Sequence, residues 1–151
     1  MIEKTFQIKM NSEEKQRVNR LFSELSTNST TLKIKDFGAG SHKLGRERKV
    51  AAIFKTSSSK GKFGRLLFQL MRSYNLKNAL EFGTSLGVGS YLLHLGNPNA
   101  HITTIEACPE TSTFSRNFLA DKTKNIQFTE STFKDYLAKN EIEQFDLIYV
   151  D

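Results

Sequence analysis

Residues 79–90 form the most informative segment of the chain, Ala79-Leu80-Glu81-Phe82-Gly83-Thr84-Ser85-Leu86-Gly87-Val88-Gly89-Ser90. A short apolar run ends in a carboxylate, a turn with three glycines follows, and a helical apolar pattern begins after the turn. Glycine has no Cβ and lets backbone approach a ligand closely, and the first N–H groups of a helix lack intrahelical partners. The segment therefore predicts a strand, a ligand-binding loop and a helix N-terminus.

The spacing of the glycines narrows the choice of ligand class. A dinucleotide loop has the pattern G-x-G-x-x-G, whereas this chain has Gly83-x-x-x-Gly87-x-Gly89 with an acid two residues before it. This pattern resembles motif I of the class I S-adenosylmethionine (SAM) dependent methyltransferases, although an ordinary glycine-rich turn has similar letters. The resemblance implies that the loop binds SAM through Glu81, Gly83, Thr84, Ser85, Gly87, Gly89 and Ser90.

From residue 76 onward, strand and helix patterns alternate along the chain. Strands are predicted at 78–82, 102–106, 126–129 and 145–151, with helical stretches between them. Strands separated by helices of this length indicate βαβ units with right-handed crossovers and a parallel sheet. The chain is therefore predicted to have an α/β fold with a Rossmann-like sheet.

A second carboxylate ends the second predicted strand. Glu106 lies 25 residues after Glu81, and a carboxylate there offers two coplanar oxygens to the hydroxyls of a ribose. NAD enzymes share this feature, and a plain surface acid is the alternative. Ile105-Glu106-Ala107 is similar to motif II of the methyltransferases, which implies cofactor contacts for Glu106 and Ala107.

Two further segments extend the resemblance. Ser131 and Thr132 follow the third strand, where the family places polar residues near the adenine, although Thr132 stands in place of the usual acid. Residues 145–151, Phe-Asp-Leu-Ile-Tyr-Val-Asp, resemble the F-D-L-I/V-F-I-D of small-molecule O-methyltransferases. The resemblance implies that Asp151 faces the transfer site as a catalytic residue, and that in the metal-dependent branch it binds Mg²⁺. The other metal ligands stay unknown.

The resemblance covers about residues 63–151. It implies a sheet in the order 3-2-1-4-5-7-6, of which this chain supplies four strands in the order 3-2-1-4 and lacks strands 5–7. The fourth strand is apolar throughout and is expected to be an interior strand, which predicts that the chain is truncated and has an unpaired edge.

Residues 1–62 are predicted to form an N-terminal helical extension, used as a lid or a dimer contact, before the SAM-binding domain at 63–151. Asn11 and Glu14 suggest a capping box for a helix over about 12–25, residues 31–36 alternate like a short strand, and Val50 begins a short helix. The glycine-rich residues 37–41 suggest a turn or lid. A stripe of apolar residues predicts a core-facing helix through Phe63, Leu66, Leu67, Leu70, Met71 and Tyr74.

Charge is distributed unevenly around the net value of +6. Residues 1–76 contain 16 Lys and Arg against 6 Asp and Glu, whereas residues 77–151 contain 6 against 10. A basic arm suits an anionic partner such as nucleic acid, but a solvated helix face is the simpler interpretation. The single cysteine excludes an internal disulfide, and no long apolar run predicts a membrane span, so a cytoplasmic protein is expected.

The sequence thus predicts a SAM-dependent methyltransferase that transfers a methyl group to an oxygen of a small molecule. Two alternatives stay open: a SAM-binding fragment without catalysis, and a nucleic-acid methyltransferase that uses the basic arm. The glycine spacing disfavours an NAD(P) dehydrogenase. A homodimer through the extension is the remaining partner prediction.

Overall fold

The computed structural model describes residues 7–35, 46–57, 59–139 and 144–151. The helices in these ranges are α1 Ser12–Thr27, α2 Val50–Ser57, α3 Gly61–Tyr74, α4 Val88–Gly96, α5 Pro109–Leu119 and α6 Phe133–Lys139. The strands are β1 Thr31–Ile34, β2 Arg46–Lys49, β3 Asn78–Phe82, β4 His101–Glu106, β5 Ile126–Glu130 and β6 Leu147–Val150. No helix in these ranges is both long enough and apolar enough to cross a membrane.

Four strands form a parallel sheet in the order β5-β4-β3-β6. Counted from β3, this is the predicted order 3-2-1-4, so the α/β fold class is confirmed. The chain moves outward from β3 through β4 to β5, and then returns to the other side of β3 with β6. The direction of the connections therefore reverses between β3 and β6.

The two faces of the sheet are covered by different helices. Ala79 and Ile102 pack with residues of α3, α4 and α5 in the larger core cluster. Leu80 and Ile105 point to the opposite face and pack against Tyr136 of α6. Right-handed crossovers explain this division, because the return from β5 to β6 runs in the opposite direction along the sheet and must cross its other face.

The extension contains a hairpin as well as helices. β1 pairs antiparallel with β2, with Thr31 opposite Lys49. The sequence carries no strand signal for β2, because Arg46–Lys49 is charged throughout and lacks an apolar alternation. The suggested turn or lid at 37–41 lies outside the described residues.

Helix α1 begins as predicted. The Asn11 side chain accepts from the Glu14 N–H at 2.8 Å, and the Glu14 carboxylate accepts from the Asn11 N–H at 2.8 Å. This capping box satisfies two backbone donors at the helix start. Leu21 and Leu25 of α1 pack in the same core cluster as Phe68 of α3.

The predicted core face of α3 needs a correction. Phe63 is 76% exposed and Tyr74 is 40% exposed, whereas Phe68 is fully buried. The stripe through Phe63 and Tyr74 is rotated from the face that packs, which contains Gly64, Leu67, Phe68 and Met71. Small Gly64 belongs to this face because it allows α3 to approach α4 closely, and a search for large apolar residues misses it.

The strand β6 lies at the edge of the sheet, as the predicted order 3-2-1-4 requires. It is the outer strand of the described sheet, and Ile148 and Val150 are 59% and 65% exposed. Leu147 and Tyr149 on the other face are partly buried against the core.

Candidate active site

The carboxyl ends of β3 and β6 meet where the connections reverse. The Asp151 N–H continues the ladder beyond β6 by donating to the Phe82 carbonyl at 2.9 Å. A Cβ on Gly83 would lie 3.3 Å from the Asp151 carbonyl oxygen, so the glycine loop and Asp151 are adjacent. Open α/β sheets bind their ligands at such a reversal, in the crevice beyond the carboxyl ends of the strands.

The loop after β3 is shaped by its own backbone. Gly83 has φ +98°, a left-handed conformation that favours glycine. The N–H groups of Gly83 and Thr84 both donate to the Ile105 carbonyl, at 2.9 and 3.2 Å. The chain then reaches Gly87, which precedes α4 and packs against Leu119. No side chain caps this helix start.

Glu81 lies beneath the loop and is fully buried. Its Oε2 accepts from the hydroxyl of Ser90 and from that of Thr104, the latter at 2.6 Å. Thr84 extends this hydrogen-bond network, because its hydroxyl lies 2.6 Å from that of Thr104. A Cβ on Gly89 would clash with Oε1 of Glu81, so the absence of a side chain there makes room for the carboxyl group.

Burial changes the acidity of Glu81. It raises the pKa from 4.5 to about 7, and the hydrogen bonds from Ser90 and Thr104 oppose this effect only in part. Oε1 has no hydrogen-bond partner among the described residues. The carboxyl group is therefore largely protonated below about pH 7.

Glu106 is held quite differently at the end of β4. Its Oε2 accepts from the Ser85 N–H and its Oε1 from the Cys108 N–H, both at 2.9 Å. Ser85 has φ +47°, which non-glycine residues rarely adopt, so the residue that donates to the carboxylate has an unusual backbone conformation. The half-buried Glu106 thus ties the glycine loop to the β4–α5 turn.

The hairpin docks next to Glu106. The Lys35 N–H donates to the Cys108 Sγ, and the thiol donates to the Lys33 carbonyl, both at 3.4 Å. The Lys33 N–H donates to the Glu110 carboxylate at 2.6 Å. Cys108 is buried, as expected of a small packed residue, and helps to fix β1 beside the candidate site.

Asp151 belongs to a cluster of oxygens that the sequence did not predict. Its Oδ1 accepts from the Tyr149 hydroxyl at 2.8 Å and from the Ser59 hydroxyl at 2.9 Å. The two hydroxyls also contact each other. Burial raises the pKa of Tyr149 to about 12, so its hydroxyl remains a donor at neutral pH. The sequence signal for Tyr149 was its place two residues before Asp151 on the same strand face.

A model of the O-methyltransferase family matches residues 42–151. The chain belongs to this family. No curated protein matches the chain significantly.

Solved structures show the same fold as this chain. An O-methyltransferase from Bacillus cereus in complex with SAH has a TM-score of 0.61 at 19% identity, and the match covers 95% of this chain and 56% of that one. A putative caffeoyl-CoA O-methyltransferase from Staphylococcus aureus has a TM-score of 0.57 at 24% identity, with 65% and 48% covered. TomG from Streptomyces achromogenes, in complex with SAM, has a TM-score of 0.56 at 23% identity, with 66% and 48% covered.

The chain spans about half the length of those structures. The match confirms the predicted resemblance and the Rossmann-like sheet. The predicted site residues can be compared with the geometry, but their individual roles stay predictions.

The loop after β5 has a structural role. The Thr132 hydroxyl accepts from the Asp135 N–H at 3.1 Å and donates to the Asp135 carboxylate at 2.7 Å, which caps α6. The Ser131 N–H donates to the Glu106 carbonyl at 3.1 Å. Ser131 and half-buried Ala107 therefore lie on the Glu106 side of the site, and their adenine or ribose contacts stay predictions.

The residues around Glu106 fit the nucleoside part of SAM. A carboxylate has about four lone-pair positions, and the two backbone N–H groups occupy one on each oxygen. One acceptor position per oxygen is left, which matches the two hydroxyls of a ribose. Glu81 and Ser90 are buried and hydrogen-bonded to each other, and buried Thr84 pairs with Thr104. The predicted cofactor contacts of these residues are therefore not visible in the geometry.

A metal site is not assembled by the described residues. They contain no group of three His, Cys, Asp or Glu side chains that could hold a metal ion. Mg²⁺ at Asp151 therefore stays an implication of the resemblance.

Proposed function

We propose that this chain forms the cofactor-binding half of a SAM-dependent O-methyltransferase that acts on a hydroxyl of a small molecule. The observation that supports it most is the Glu106 carboxylate, which is fixed by backbone N–H groups on both oxygens beside the glycine loop. Membership of the O-methyltransferase family supports the reaction type.

The proposed cofactor contacts divide between the two sides of the loop. Glu106 accepts the ribose hydroxyls, Ala107 and the Ser131–Thr132 turn line the adenine side, and the residues from Gly83 to Ser85 border the methionine part. Glu81 and Ser90 support the loop from beneath. Bound SAM supplies a methyl group that its sulfonium already activates.

The proposed chemistry needs little from the protein beyond alignment. The acceptor oxygen must lie in line with the methyl group, and the acceptor hydroxyl must lose its proton. Asp151 lies exposed at the carboxyl end of β6, next to Gly83. We assign it the task of accepting a hydrogen bond and then the proton from the acceptor hydroxyl.

The acceptor class is inferred from the family, and nucleic acid is the alternative. One structure with the same fold is a putative RNA methyltransferase, PH1948 from Pyrococcus horikoshii, with a TM-score of 0.52 at 16% identity; the match covers 94% of this chain and 59% of that one. Residues 1–76 also hold most of the positive charge. RNA methylation would require binding that weakens steeply with salt.

A transfer assay with methyl-labelled SAM tests the proposal. A panel of phenols and a mixed RNA are offered to the purified chain, with Asp151→Asn as the matched variant. Label transfer to a phenol that Asp151→Asn reduces at least tenfold is the expected result. Transfer to RNA alone would replace the small-molecule proposal, and SAM binding without transfer to either would favour the non-catalytic alternative.

A further inference from the structure

The cluster around Asp151 contains a departure from the family pattern. The resembling segment has Phe at the position of Tyr149, which here brings a hydroxyl within 2.8 Å of Asp151 Oδ1. Tyr149 pairs with Glu81 across the sheet, so its ring lies on the α4 face and passes close to Gly89. The added hydroxyl therefore emerges at the edge of the candidate site, where a phenyl ring would leave Asp151 with one fewer donor.

Ser59 is brought to Asp151 from 92 residues away in the chain. The turn that contains it is fixed on both sides. The Lys60 ammonium donates to the carbonyls of Phe54 and Lys55 at the end of α2, and it lies 4.3 Å from the centre of the Phe54 ring. On the other side, Gly64 lets the Ser59 carbonyl pack directly on α3, since a Cβ there would lie 2.8 Å from that oxygen.

Two hydroxyl hydrogens serve three short oxygen pairs in this cluster: Ser59 with Tyr149, and each of them with Oδ1 of Asp151. The two hydroxyls cannot both donate to each other. In every arrangement that uses both hydrogens, at least one hydroxyl therefore donates to Asp151. Oδ2 of Asp151 accepts no hydrogen bond from the described residues.

We propose that Ser59 and Tyr149 are positioning residues that hold the Asp151 carboxylate by Oδ1 and leave Oδ2 to the methyl acceptor. The proposal rests on the role of Asp151 in the proposed function. An exposed carboxylate without these donors samples several rotamers, and each loses the alignment that transfer requires. Because either hydroxyl can hold Oδ1 alone, removal of one has a partial effect and removal of both has a full effect.

Side-chain NMR of the wild-type chain tests the holding of Asp151 without needing activity. Three-bond couplings report the χ1 rotamer of Asp151 in Tyr149→Phe, Ser59→Ala and the double variant. We expect one rotamer in the wild type and averaged couplings in the double variant, with the single variants between them. Ser26→Ala, which removes a hydroxyl on α1 that bonds to Ser23, is the matched control. A fixed rotamer in the double variant would overturn the proposal.

Kinetics with the best phenol of the panel test the consequence. The double variant is expected to lower kcat on the order of 10-fold to 100-fold while KM for SAM changes less than twofold, because alignment is lost and cofactor binding is not. Ser59→Thr, which keeps a hydroxyl, is expected to restore kcat in the Ser59→Ala series. An unchanged kcat in the double variant would refute the positioning role.

Failure of the wild type to bind S-adenosylhomocysteine would refute the proposed function instead. The rotamer result would still decide whether Ser59 and Tyr149 hold Asp151.

Discussion

Glu81 and Glu106 end neighbouring strands and differ in almost everything else. Glu81 is fully buried, takes its hydrogen bonds from side-chain hydroxyls, and has a pKa raised to about 7. Glu106 is half-buried and takes its hydrogen bonds from two backbone N–H groups. Both are carboxylates beside the same glycine loop, and the sequence suggested cofactor contact for both.

This difference distinguishes an acid that supports the glycine loop from an acid that is proposed to bind the cofactor. Glu81 lies under the loop and shapes it through Ser90 and Gly89, whereas Glu106 holds the loop from its open side and keeps acceptor positions for a ligand. The two strand-end acids thus differ in their hydrogen-bond donors, and this difference supports different proposed roles for them. We propose Glu106 as the residue that binds the cofactor and Glu81 as the residue that supports the loop.

The largest expected effect tests whether Glu81 supports the glycine loop. Gly89→Ala should lower the free energy of unfolding by about 3 kcal/mol, because the added Cβ clashes with a buried carboxyl group. Urea denaturation measures this change. A double-mutant cycle with Glu81→Ala is the control, and the double variant should lose less than the sum of the single losses. A neutral or stabilising Gly89→Ala, as helix propensity alone would give, would contradict the role of Glu81.

The pH dependence of stability should follow Glu81. Its folded-state pKa of about 7 exceeds its ordinary value of 4.5, so between these values the folded protein holds a proton that the unfolded chain has lost. Stability should therefore fall as pH rises through this window and level off above it, by on the order of 3 kcal/mol at about 1.4 kcal/mol per pKa unit. Glu81→Gln should remove this contribution, as measured by urea denaturation at several pH values. Glu106→Gln should retain it, and equal slopes in the wild type and Glu81→Gln would refute the assignment.

How much of this comparison was visible in the sequence depends on how local each feature is. The strands, the glycine loop and the position of Glu106 follow from patterns of a few residues, and the structure confirms the elements. The burial of Glu81 depends on Thr104, its neighbour across the sheet, and Ser59 meets Asp151 across 92 residues. The periodicity of apolar residues along a sequence does not predict contacts between residues so far apart. The strand β2 could not be predicted from an apolar pattern because all four of its residues are charged.

A smaller effect on stability is expected at Thr132, which follows the end of β5. Thr132→Ala should cost about 1 kcal/mol of stability, since it removes the cap of α6, and Thr132→Ser should recover most of it. Thermal unfolding measures both variants. The same variants report on the predicted adenine contact, because a ligand role adds a loss of S-adenosylhomocysteine affinity to the loss of stability. Ser131→Ala, which keeps the cap, is the control, and an unchanged melting temperature in Thr132→Ala would contradict the capping role.

Calorimetric titration of the chain with S-adenosylhomocysteine, in the wild type, Glu106→Gln and Glu81→Gln, tests the assignment of Glu106 to cofactor binding and of Glu81 to loop support. This assignment predicts binding by the wild type and at least tenfold weaker binding by Glu106→Gln. Glu81→Gln should bind within about threefold of the wild type, because a buried amide oxygen can still accept from Ser90 and Thr104. Unchanged affinity in Glu106→Gln, or absence of binding by a folded wild-type chain, would contradict it.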